Sequence, residues 1–468
     1  MSAVAPAAFA QTETDPKVFS RPRIVGAAKQ PTPSTASEAQ TGAQTRTPAP
    51  RQETAPASPA TANPSATQPA QTPRTTQAQP QPATPAASSA PNAAGTTPPA
   101  AWAAPVAPLQ PARPLSMSRY RNRLAEAQRL LKSRLQLTAA TSTPPSTFFV
   151  TIAAYDQDDS RIHLVTIPKQ TLLTRGAELT LSTSLGLPVR LQIVRPNYVN
   201  TAVVIADMQG RQLTPLLIGY PIEKGGRFTE MAYYTSAHPA LVSPEVVRGG
   251  KAYVRSMLDL AAKRLKDKGK IITPQIVDIA ERLCVVEHVD HGRFRTEDRK
   301  RLYEEVYALF ALNELDTYRY SVSSAGAGGM VQMIPSTYAM VRRLHPTVGL
   351  NPDFVAGMRN HGNALEAMLL YMQDTWNGLA LNQDVLDAMA NKLATQTELV
   401  AAGYNSNPAR LPLYIRRGGA AWRTLIPRET QMYLQIYSSL ESLIEFKDRS
   451  KDSASQEAAS EGGATSER

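Results

Sequence analysis

The chain has 468 residues, a net charge of +11 and a pI near 9.6. That length accommodates two or three domains, and the charge points to an anionic partner: nucleic acid, a membrane surface or an acidic polymer such as cell wall. Nucleic acid is set aside because there is no zinc-finger spacing, no RNP-type aromatic strand and no dense Lys/Arg run; one cysteine, Cys284, excludes an intrachain disulfide framework and a cysteine zinc site.

No apolar run approaches the roughly 20 residues of a membrane-spanning helix, so no transmembrane segment is expected. The N-terminus reads MSAVAPAAFAQTETD. Ala-Phe-Ala before Gln11 fits the small-x-small cleavage pattern of a secretory signal, but no Lys or Arg precedes it, so residues 1–10 are read as the stump of such a signal. The following hundred residues are dominated by Ala, Pro, Thr, Gln and Ser. They bury too little apolar surface to offset the entropy of ordering, and 1–117 is expected to be a disordered tether.

Residues 118–140 begin SRYRNRLAEAQRLLKSRLQL. Leu124, Ala127, Leu131 and Leu135 share one helical face, with basic residues elsewhere. A docking or linker helix is expected. The alternative is a basic amphipathic helix on an anionic surface, which the lack of Trp or Phe on that face disfavours. From 145 to 222 the period shortens. TFFVTIAAY, RIHLVTI, AELTLS, VRLQIV, TAVVIAD and TPLLIGYPI are short, rich in branched residues and separated by turn signals. They predict a small all-β sandwich or barrel, with no chemistry legible in it. Asp156, Asp158 and Asp159 are read as a polar hairpin turn, since the Gly and distal Glu of a calcium loop are absent.

Beyond Gly249 the pattern is helical, giving an all-α unit over 243–446 and a short disordered tail over 447–468. Thr273-Pro274 marks one helix start, Thr296-Glu297-Asp298 a second that runs through YEEVYALFALNEL, and Asn351-Pro352 a third through ALEAMLLYM. Residues near 383–402 and 429–445 are also expected to be helical. Glu314 ends the second of these helices, just after the apolar run Val306–Leu312. Its carboxyl is therefore expected near the core and partly desolvated, which raises its pKa as a general acid at neutral pH requires. Nine residues on begins SSAGAGGMVQMIPST, where small residues would let backbone approach a bulky ligand and Gln332 stands as the one amide in an apolar turn. A buried Glu beside a glycine turn has an ordinary structural reading as well.

Four blocks in order resemble the motifs of the SLT-type lytic transglycosylases, relatives of goose-type lysozyme: Glu314 ahead of Ser323-Ser-Ala-Gly-Ala, Gly329-Met-Val-Gln332 with Ile334-Pro-Ser-Thr, AAGYNSNPARL at 401–411, and IPRETQMYL at 426–434. The resemblance covers roughly 270–445. It implies a lysozyme-like catalytic fold and cleavage of peptidoglycan between N-acetylmuramic acid and N-acetylglucosamine, in the bacterial envelope, without metal or cofactor. Glu314 would serve as acid and then base, closing a 1,6-anhydro ring on the muramyl residue. Ser323 and Gln332 would hydrogen-bond substrate in the cleft and Gly329 would keep its wall close to the sugar; Tyr404 would lean on the acid and the substrate, supported by Asn405; and Glu429 would lie near a more distant subsite. The β-unit would position the enzyme or bind an envelope protein. Departures are Leu315 where the family has Ser, Ile334 where it has Met, and Gly403, Ser406 and Asn407 around the Tyr-Asn turn. A catalytically weak glycan-binding relative and a hydrolytic muramidase are the alternatives.

Other groups count for less. Glu287, His288, Asp290 and His291 look like a ligand cluster, but HExxH-type spacing is absent and Gly292 signals a helix end, so a polar terminus packed near the cleft is expected. Ser324 has no nucleophile motif around it. Trp376, Trp422 and Tyr433 are read as core or cleft wall.

Overall fold

The computed structural model describes residues 107–140 and 146–449, with side chains to 133 in the first helix, and the backbone of Arg23–Ile24. The expected signal stump and nearly all of the expected tether lie outside these residues. A strand of two residues, β1 (Arg23–Ile24), is followed by helix α1 (Met117–Ala140). The segment before α1 was assigned to the tether, yet it packs. Leu115 and Met117 are buried, and Gln110 donates its N–H to the Gly210 carbonyl at 2.8 Å while Arg190 reaches the Ala107 carbonyl at 2.8 Å. An extended Pro-rich strand needs few of its own hydrogen bonds, so a neighbouring hairpin suffices to hold it.

Seven strands form a curled antiparallel half-barrel: β2 (Phe149–Asp156), β3 (Arg161–Pro168), β4 (Glu178–Ser182), β5 (Pro188–Arg195), β6 (Ala202–Asp207), β7 (Gln212–Lys224) and β8 (Arg227–Tyr234), with the short helix α2 (Lys169–Leu172) after β3. The order is β3-β2-β7-β6-β5-β4, and β8 pairs with β7. β7 is long enough to pair with β6 at its start and with both β2 and β8 further on, and this is what curls the sheet. Alternation sends Val150, Ile152 and Ala154 of β2 into one core and Ala153 and Tyr155 into another, formed with Tyr120, Ala127 and Leu131 of α1. The helix is thus a docking helix: its apolar stripe covers the sheet. The β-unit ends at Tyr234, not at 222. The missed strand β8 follows a Gly225-Gly226 turn, a hairpin signal that the charged start RFTEM obscured.

The helical part comprises α3 (Pro244–Asp267), α4 (Pro274–Val286), α5 (His291–Thr296), α6 (Arg299–Asn313), a two-residue strand β9 (Ser321–Val322), α7 (Pro335–Leu344), α8 (Phe354–Arg359), α9 (His361–Leu379), α10 (Gln383–Ala390), α11 (Gln396–Asn405), α12 (Leu411–Gly418) and α13 (Arg428–Leu443). The helix expected from Asn351 is two, because Asn360 breaks it and caps α9 by accepting from the Asn363 N–H. The stretch 383–402 is also two, divided at Thr395 and Glu398, which form a capping box. α3 crosses α6 so closely that a Cβ on Gly250 would stand 1.8 Å from the Tyr307 carbonyl oxygen. α4 is buried all round from Ile276 to Val286, its Asp278, Glu281 and Arg282 included, and is the central helix against which α3, α9, α11 and α13 pack. Residues 447–449 were assigned to the C-terminal tail, yet Arg449 is buried, with Nη1 2.8 Å from Asp278 Oδ1 and 2.5 Å from Glu281 Oε2; the rest of that expected tail lies outside the described residues. Arg449 is held there by two α4 carboxylates that it neutralises.

Candidate functional site

Glu314 does not have the desolvated setting expected of it. α6 stops one residue earlier, at Asn313, whose side chain is taken by the Thr235 backbone of the half-barrel. Glu314 then turns out with φ +47°, and its side chain is 59% exposed. Its carboxylate stands 3.6 Å from Arg121 of α1, an equally exposed guanidinium, and Leu315 beside it is exposed as well. The apolar run Val306–Leu312 is core as predicted, but the helix end that carries Glu314 faces solvent.

Glu287, at the C-terminal end of α4, is a half-buried acid of this region. Its Oε1 accepts a hydrogen bond from the Tyr433 hydroxyl at 2.7 Å. Burial pushes its carboxyl up to about 8, the neighbouring charge of Glu429 adds to the rise, and the Tyr433 bond opposes it. The negative end of the α4 dipole also disfavours an anion there. Burial raises Glu429 above the ordinary carboxylate range too.

The apolar turn 329–334 is pinned across this helix end from two sides. His288 Nε2 contacts the Met330 carbonyl oxygen at 2.9 Å, and the Tyr404 hydroxyl donates to the Val331 carbonyl at 2.6 Å. Gln332, at φ +46°, donates to the Gly329 carbonyl at 2.7 Å and to Ser321 Oγ at 3.2 Å. Gly329 has φ +67°, and a Cβ there would lie 2.3 Å from the Met358 carbonyl oxygen, so the position requires glycine. Tyr404 lies against Tyr371, ring centroids 5.8 Å apart, and the charge of Glu287 raises its hydroxyl pKa beyond what burial does. Asn405 Oδ1 accepts from Thr430 at 2.8 Å, which ties α11 to the start of α13 beside Glu429. Ser323 spends its hydroxyl inside its own turn, accepting from the Ala327 N–H at 3.0 Å.

Five of the residues singled out from the motifs, Gly329, Gln332, Tyr404, Asn405 and Glu429, therefore belong to elements that meet around the end of α4. Ser323 closes the glycine turn, and Glu314 stands apart from the group. The sequence reading of Glu287, a polar helix terminus packed near the cleft in preference to a metal ligand, gave it no catalytic part. α5 and α6 intervene between it and the Ser323 block, so no spacing rule connects the two. The signal that could have found it is the end of α4 itself, where the apolar run Leu283–Val286 stops on a carboxyl.

The ligand cluster does not assemble. His288 turns away from Glu287 and stacks on Tyr318 with centroids 3.4 Å apart, and burial lowers its pKa to about 3. Asp290 caps α5 by accepting from the Arg293 N–H. Asp156, Asp159 and His163 come close enough to share a cation, but Asp156 is 3.5 Å from Arg211 and His163 Nδ1 is 2.9 Å from Thr183 Oγ1. Trp422 and Tyr433 are buried, and Trp376 is partly buried against the core. A cavity of about 1180 Å³ opens between the half-barrel and the α5–α6 hairpin, with His288, Tyr198, Asn200 and Ser321 in its lining and Glu287 outside it. Comparison of the chain with protein-family models, with curated proteins and with solved structures finds no match.

Proposed function

We propose that this protein cleaves peptidoglycan glycan strands as a lytic transglycosylase, with Glu287 in place of Glu314 as the general acid. One observation carries the reading: Glu287 stands at the α4 end where the elements bearing Gln332, Tyr404 and Glu429 meet, 2.7 Å from the Tyr433 hydroxyl, and burial pushes its carboxyl up to about 8. A general acid needs such a group. In this reading Glu287 protonates the glycosidic oxygen as the bond to the muramyl C1 breaks. The muramyl N-acetyl group stabilises the positive charge at C1. The Glu287 carboxylate then takes the proton of the C6 hydroxyl as O6 bonds to C1, closing the anhydro ring and returning the acid to its starting state. Gln332 and Tyr404 would orient the sugar. Glu429, which burial disfavours as an anion, is poorly suited to be the standing carboxylate of a two-acid hydrolase.

The test is product analysis on purified peptidoglycan. Wild-type protein and Glu314→Gln should both release anhydro-muropeptides, and Glu287→Gln should release none while remaining folded. Reducing ends in place of anhydro ends would make it a hydrolytic muramidase. Binding without release by the wild type would leave only a glycan-binding protein. Loss of release in Glu314→Gln but not in Glu287→Gln would return the acid to Glu314.

A further inference from the structure

Between Gln11 and Ala101 the chain holds one apolar island. Val18-Phe-Ser-Arg-Pro-Arg-Ile-Val25 contains Val, Phe and Ile, and from Gly26 to Ala101 there is not one Val, Ile, Leu, Met, Phe, Tyr or Trp. The backbone of Arg23–Ile24, within that island, pairs antiparallel with β9, Arg23 opposite Val322 and Ile24 opposite Ser321, and runs beside the turn Tyr198–Asn200. Ser321 of β9 and Tyr198 and Asn200 of that turn line the cavity of about 1180 Å³. On its other side β9 bridges to Gly328, which bridges in turn to Met333. Without Arg23–Ile24, Val322 would therefore be an open strand edge of the small sheet that carries Gln332. Asn200 in the same lining is only 7% exposed, and its Oδ1 has no hydrogen-bond partner among the described residues, an acceptor positioned for a peptide N–H.

We infer that the β9 edge and the adjoining cavity form a docking groove for an extended peptide, and that its resident occupant is residues 18–25 of the same chain, added as a strand. Main-chain hydrogen bonds supply the affinity of such an addition, and side-chain pockets supply its selectivity. The Ala/Pro-rich stretch that follows keeps the island at high local concentration. Because Ser321 accepts from Gln332, the docked strand lies one side chain from the proposed glycan wall. Occupancy of the groove then restrains Gln332 and lowers glycan release. That consequence rests on the function proposed above; the docking itself does not.

The experiment uses the full chain with two engineered cysteines, Arg23→Cys and Val322→Cys. Native Cys284 is buried with its thiol pKa pushed up, so it stays out of the exchange. Under mild oxidation the 23/322 pair should form an intrachain disulfide much faster than an Ala43→Cys/Val322→Cys control, read by mass spectrometry of the linked tryptic peptides. Equal rates for the two pairs would overturn the docking, and an intermolecular link would overturn its assignment to the same chain. Separately, Ile24→Asp should raise anhydro-muropeptide release by about tenfold if roughly nine molecules in ten are docked at rest. Unchanged release from an active protein would overturn the regulatory role alone. Absence of release from both proteins, alongside a rapid 23/322 cross-link, would sink the glycan reading and leave the docking standing.

Discussion

Replacing Glu287 by Gln should remove most of the pH dependence of stability that this helix end creates. Ionising a carboxyl moved from 4.5 to about 8 costs the folded protein roughly 5 kcal/mol, at about 1.4 kcal/mol per tenfold change in proton affinity. The folded-state pKa lies above the unfolded one, so the stabilising contribution is complete below about pH 4.5. It is lost progressively as pH rises to about 8, because the unfolded chain gives up the proton first. Wild-type protein should therefore lose up to roughly 5 kcal/mol between pH 4.5 and 9 that Glu287→Gln does not lose. Gln keeps an acceptor for the Tyr433 hydroxyl, so the variant preserves the contact while removing the charge. The assay is urea unfolding of both proteins across that pH range, followed by tryptophan fluorescence, to which buried Trp422 contributes. Only the difference between the proteins matters, since other groups titrate equally in both. Parallel decline of the two curves would refute a desolvated, proton-holding Glu287.

Three further outcomes follow from the same geometry. Tyr433→Phe removes a hydrogen bond that favours the Glu287 anion, so the alkaline limb of glycan release should move up by roughly one pH unit; a downward shift would contradict the assigned donor. Gly250→Ala places a methyl against the Tyr307 backbone and should destabilise by about 3 kcal/mol or more in chemical unfolding; a neutral variant would show that α3 and α6 cross less tightly. Gly329→Ala combines a left-handed backbone with a contact to the Met358 carbonyl, and should cost roughly 2–4 kcal/mol and displace Gln332, read as weakened glycan binding; wild-type binding would mean the turn is not part of the site.

Much of the architecture is local physics and is legible in the chain. Period-two apolar patterns mark β2 to β7, and sustained helical periodicity with Thr273-Pro274 and Asp298 marks α4 and α6. The motif blocks around Gly329, Tyr404 and Glu429 announce elements that do meet. Errors fell where a local signal was weak or shared: β8 behind its double glycine, Asn360 inside what reads as one helix, and Arg449 beyond the last apolar residue. The position of the acid was of another kind. Glu287 and Glu314 both follow apolar helical runs, and sequence alone ranks them by spacing to the next motif. Burial is decided by what arrives from elsewhere: Tyr433, Tyr404 and Glu429 close over the end of α4, while the Glu314 carboxylate past the end of α6 stands beside the exposed Arg121. Helices and strands are set by neighbours in the chain, whereas desolvation of a carboxyl is set by neighbours in space, and only the tertiary structure supplies those.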